Sequence, residues 1–83
     1  YTPSQAGNLV LSMVATRQGD RGPFTPDAGV TELQDTSSGT TATSDHSCFA
    51  GYLIASGTTA TNVAGTSTAN AECLFLVTEL RAV

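Results

Sequence analysis

The 83-residue chain contains no lysine and no tryptophan, one methionine, one histidine and two cysteines. Each shortage closes off a class of function. With three arginines against seven carboxylates the net charge is −4, which repels phosphate backbones and anionic lipid headgroups, so neither nucleic acid nor a membrane is expected as a partner. The apolar runs reach only about nine residues, too short for a transmembrane helix, and no basic segment precedes an apolar one as in a secretory signal. The chain begins at Tyr1 rather than Met, so an upstream segment is expected to have been cleaved, cut or not included. Two cysteines and one histidine are too few for a zinc site. There is no Gly-rich phosphate loop and no Asn-x-Ser/Thr sequon. Asp20, Asp27, Asp35 and Asp45 lie in loop-like stretches without EF-hand spacing. No metal or other cofactor is implied.

What the chain does have is 14 Thr, 8 Ser and 8 Gly. Eighty-three residues make one domain, 1–83, near the lower limit at which a single core sustains itself; such a chain buries about 60–65% of its unfolded surface. Hydrophobic alternation then places the strands. In Asn8–Thr16, Leu9, Leu11, Met13 and Ala15 share one face and Val10, Ser12, Val14 and Thr16 the other. Ser47–Ala55 sets Cys48, Ala50, Tyr52 and Ile54 against Phe49, Gly51, Leu53 and Ala55. Ala71–Val83 sets Leu74, Leu76, Thr78, Leu80 and Ala82 against Cys73, Phe75, Val77, Glu79 and Arg81. The last stretch is long enough for a helix, but no capping residue stands directly before it and Leu-Phe-Leu-Val-Thr favours a pleated surface. The first of these strands reads as buried on both faces and the last as buried in its first half and alternating in its second, towards the rim, with Leu9, Val10, Leu11, Phe49, Tyr52, Leu74, Phe75, Leu76 and Leu80 as core.

Shorter strands are expected at Gly29–Asp35 and Thr58–Val63. Residues 1–7 form an extended N-terminal arm, Arg17–Gly29 a long loop and Thr36–Asp45 a low-complexity surface segment. Several short strands, turns every 8–12 residues and no helical stretch define an all-β fold, a small antiparallel β-sandwich (jelly-roll or immunoglobulin-like) of about 5–7 strands.

Cys48 and Cys73 lie near the starts of two of the most apolar strands. They are either a disulfide or two small buried hydrophobes; a bridge would close a loop of about 25 residues and contribute roughly 3.5 kcal/mol. The spacing alone does not show that their Cα atoms approach within about 7 Å. Phe24, the one apolar side chain of its loop, either plugs the end of the core or offers a contact to another molecule. A catalytic reading founders on geometry. Asp45, His46, Ser47 and Cys48 supply suitable residue types, but adjacent strand residues point to opposite faces and assemble no triad. The protein is read as non-enzymatic.

Gln5-Ala6-Gly7-Asn8-Leu9-Val10-Leu11, Gly29-Val30-Thr31-Glu32-Leu33, Ala50-Gly51-Tyr52-Leu53-Ile54-Ala55-Ser56-Gly57 and Leu74–Val83 with its Glu-Leu-Arg resemble, in this order, the blocks of a β-sandwich module. That module recurs in bacteriophage tail-fibre and other virion proteins and in large bacterial surface proteins. Nearly the whole chain is covered, by short motifs. Asn8 stands where Asp is usual and Val30 where Trp is usual, which removes a large core anchor. The resemblance implies a structural subunit of a virion, an extracellular particle: a capsid decoration or cement subunit, or a tail or fibre module. It would hold to itself and to a major capsid or tail protein, as a homo-oligomer, with a trimer favoured. Of the strand that the module has before its first turn only Tyr1-Thr2-Pro3 is left, so a sheet edge is expected to stand open for a neighbour. The expected contact surface is the arm and the following loop, with Tyr1, Thr2, Pro3, Arg17, Arg21 and Phe24. The alternatives are a carbohydrate-binding or adhesion module, which needs Tyr52 or Phe24 exposed beside loop carboxylates, and a self-assembling extracellular filament subunit.

Overall fold

The structure, a computed structural model, describes residues 1–17, 24–37, 46–67 and 72–83. Six strands are present among them: β1 (Leu9–Arg17), β2 (Thr25–Pro26), β3 (Thr31–Ser37), β4 (His46–Ile54), β5 (Gly65–Thr66) and β6 (Cys73–Leu80). The main sheet has the order β3-β4-β1-β6 and is antiparallel throughout. The second layer is reduced to the two-stranded β2-β5 ribbon with the coil on either side of it. The result is a small antiparallel β-sandwich with one full layer and one short one.

The β-branched and aromatic strands of the sequence are the strands of the main sheet, to within two residues at most ends. Thr58–Val63 forms no strand; the pairing that holds this part of the chain to the rest falls just after it, at Gly65–Thr66. The alternation of β3 is also interrupted. Its register against β4 shifts between Glu32 and Gln34, so Leu33 is the extra residue of a bulge and Gln34 comes to lie opposite Ala50 rather than on the face of Glu32. Two turns require glycine. Gly7 (φ 86°) and Gly29 (φ 83°) each occupy the third position of a four-residue turn, closed by Asn8 N donating to Gln5 O and by Val30 N donating to Asp27 O, the place where a positive φ is needed.

The core lies between the β1–β4 half of the sheet and the short layer. Val10, Leu53, Ala55 and Val63 form one buried cluster, Phe24, Phe49 and Ala64 another, and Val30 packs against both. The Phe24 and Phe49 rings meet at 5.7 Å between centroids with a 50° tilt. Phe24 is therefore the plug. Gly51 owes its lack of a side chain to this packing: a Cβ there would sit 2.8 Å from Val30 Cγ1 and 3.0 Å from the Phe49 ring. Carboxylates and hydroxyls tie the short layer down, Asp35 Oδ2 accepting from Phe24 N at 2.7 Å, Asp27 Oδ2 from Ala64 N at 3.1 Å, and Ser12 Oγ donating to Val63 O.

Candidate interaction surface

Strand pairing fixes which side chains share the far face of the main sheet, because cross-strand partners point the same way. One row runs Ile54, Leu9, Leu80; the next Thr31, Tyr52, Leu11, Thr78; the central one Gln34, Ala50, Met13, Leu76; the last Thr36, Cys48, Ala15, Leu74. No described element lies over them. Met13 is 58% exposed and Leu76 55%, and Leu33, Ile54, Leu74 and Leu80 are equally open. A shallow depression of about 440 Å³ at the centre is bordered by Leu11, Met13, Leu33, Ala50 and Leu76. Isolated exposed leucines need no explanation, but a contiguous apolar sheet face does.

The surface carries no charge until its end. There Arg17, opposite His46, pairs with Glu72 at 3.1 Å, both side chains well exposed, so the ion pair adds little to stability. The other charged groups of the strands face the opposite way. Asp35 pairs with Phe49, Glu32 with Gly51 and Glu79 with Val10, all on the covered side.

The expectation that both faces of these strands are buried is thus corrected. Val10 and Phe49 are fully buried; Leu9, Leu11 and Tyr52 are half-buried, while Leu74, Leu76 and Leu80 are open. Phe75 is on the covered side but also exposed. A disulfide does not form. Cys48 pairs with Ala15 and Cys73 with Thr16, so they lie on opposite faces and on the two strands flanking β1, roughly 10 Å apart at two inter-strand spacings.

The residues singled out as a contact surface are placed as follows. Pro3 and Phe24 are buried, Tyr1 and Thr2 are exposed, Arg17 is at the end of the open face, and Arg21 lies outside the described residues. The arm is docked rather than free. Its anchor is Glu79, whose Oε2 accepts from Tyr1 Oη at 2.6 Å and whose Oε1 accepts from Ser4 N at 2.9 Å, Ser4 Oγ at 3.0 Å and Asn8 Nδ2 at 2.5 Å. Asn8 is itself buried and accepts from Ala82 N at 2.8 Å through Oδ1. An Asp at this position would lack the donor and face Glu79 with like charge. The hydrogen bonds from Tyr1 and Asn8 hold the Glu79 carboxyl down to about 2, and the same contact raises the Tyr1 phenol. The arm is stitched further by Tyr1 N to Thr61 O and Thr61 N to Tyr1 O.

A second hollow, of about 310 Å³, opens on the covered side between Phe75 and the stretch 61–65, with Tyr1 and Asp27 on its rim. Its polar groups are engaged within the fold, Asp27 with Ala64 N and the Tyr1 hydroxyl with Glu79. Tyr52 has Leu11 and Thr31 beside it on the open face, not a carboxylate. Among the described residues no three His, Cys, Asp or Glu side chains come together as metal ligands do. No protein-family model, curated protein or solved structure matches the chain.

Proposed function

We propose that this chain is a non-enzymatic structural subunit of a virus particle, a decoration or cement subunit or a tail or fibre module, that works by burying its open sheet face against neighbouring protein. One observation carries the reading: a largely apolar face across four strands, charged only at the Arg17–Glu72 end and with no described element over it. Such a face is costly to leave in water and suits permanent contact, since burying it desolvates no ion. The docked arm serves a different purpose from direct contact: it fastens the end of β6 and keeps that edge strand in register. The resemblance of the strand blocks to phage and bacterial surface modules supplies the particle.

The test is density-gradient sedimentation of particles from the source culture, with the chain followed by antibody. The reading expects the chain to band with intact particles and Leu76→Glu to leave it in the soluble fraction. A wild-type chain found only in the soluble fraction would refute it.

A further inference from the structure

We propose that a second copy of this chain covers the open face, sheet against sheet, about a twofold axis running parallel to the strands between β1 and β4. The inference rests on reading that face as a contact surface and names its occupant.

The area is sufficient. Six large apolar side chains on it, Met13, Leu33, Ile54, Leu74, Leu76 and Leu80, are each more than half exposed, and together with their half-buried neighbours they offer on the order of 600–800 Å², against the ~800 Å² per partner of a standard stable interface. Charge sets the chemistry of the occupant. Each chain carries −4, so two copies repel unless their carboxylates are held away from the contact, and the strands do hold them away: Glu32, Asp35 and Glu79 face the covered side and Glu72 is paired with Arg17 at the rim. A basic partner would find no acidic group to meet on this face. A flat, neutral, apolar partner is required, and the same face of a second chain is one.

Shape makes the face complementary to itself. The sheet order is β3-β4-β1-β6, so an axis along the strands between the two central ones lays β1 over β4 and β6 over β3 of the other copy. In the central row Met13, the longest side chain, then stands over Ala50, among the smallest, twice by symmetry, and Leu76 stands over Gln34, next to the bulged Leu33. Large opposite small is how two sheets interdigitate at about 10 Å, with strands aligned to within about 30°. The second copy lies against the side of the sheet opposite the short β2-β5 ribbon. This arrangement is twofold, in place of the threefold that the family resemblance favours.

The test is sedimentation velocity of the 83-residue chain over a wide concentration range, with Met13→Glu, Leu76→Glu and, on the far side, Thr66→Glu. A species of twice 8.4 kDa, weakened at least about tenfold in association constant by either face variant and not by Thr66→Glu, supports the proposal. Met13 and Leu76 are already more than half exposed, so the variants should keep the wild-type circular dichroism; Met13→Gln and Leu76→Gln repeat the test without a charge should they not. In a mixed sample of labelled and unlabelled chains, isotope-filtered spectra should show contacts between the Met13 and Ala50 methyls across copies. A monomer at every concentration, a trimer, or a dimer indifferent to both face variants would overturn it. Particle association lost with Leu76→Glu in a chain that is always monomeric would overturn this inference alone; a dimer that never bands with particles would overturn the proposed function alone.

Discussion

The two faces of one sheet differ in everything except their strands. On the covered face, apolar side chains are interleaved with polar ones that reach partners: Ser12 reaches Val63 O, Thr16 reaches Ser47 O, and Glu79 gathers the arm. On the open face the rows are mostly apolar, with Thr and Gln side chains on β3 and charge only at the Arg17 end, and no described segment lies above them. A surface that must find its own cover within the chain uses directional bonds to fix which loop lies where. On the proposed reading the open face leaves that work to area and shape, so that the covered face determines the stability of the single chain and the open face its association.

Substitutions should separate the two. The largest loss of monomer stability is expected at Phe49→Ala, about 3–5 kcal/mol by denaturant unfolding, since the ring is buried against Phe24. Leu76→Ala, its counterpart on the open face, should cost the dilute monomer far less; an equal loss would abolish the distinction. Asn8→Asp comes next, at about 2–3 kcal/mol near neutral pH, because it removes a buried donor and sets two carboxylates together. Part of that loss should return below the ordinary carboxylate range. Gly51→Ala should cost about 1–3 kcal/mol through its clash with Val30 and Phe49.

Acid should act on the covered face first. Glu79 is held down to about 2 in the folded chain against 4.5 ordinarily. Its contribution is therefore complete above pH 4.5 and lost as pH falls from there towards 2, so the protection of the Ser4 amide relative to its intrinsic exchange rate should fall across that window while that of β4 does not. Loss of protection only below pH 2, or in both places together, would break the assignment of the arm to Glu79. The smallest effect is expected from Arg17→Ala, within about 0.5 kcal/mol, because its partner Glu72 is exposed.

Much of the architecture was legible in the sequence because period-2 alternation reports which residues share a face. The grouping of Leu9, Leu11, Met13 and Ala15, and of Cys48, Ala50, Tyr52 and Ile54, holds residue for residue. Alternation does not say whether a face is covered, so strands apolar on both sides read as buried on both. Leu74, Leu76 and Leu80 read as core for that reason, and the same ambiguity hides the open face. The arm reads as a free contact because no local signal in Tyr1–Gly7 reveals a partner more than seventy residues away at Glu79. The cysteines, which spacing leaves open between a bridge and burial, are separated by β1 and by a single-residue offset that puts them on opposite faces, and both are exposed. The bulge at Leu33 likewise follows from pairing, not from anything in Glu32-Leu33-Gln34 alone.

The division between the faces is tested most directly by carbene footprinting of the 83-residue chain at low and high concentration. The account predicts that Met13, Leu74 and Leu76 are labelled when dilute and protected when concentrated, while Val10, Phe24 and Phe49 are protected throughout. Protection of Met13 and Leu76 at every dilution, or their labelling at every concentration, would contradict it.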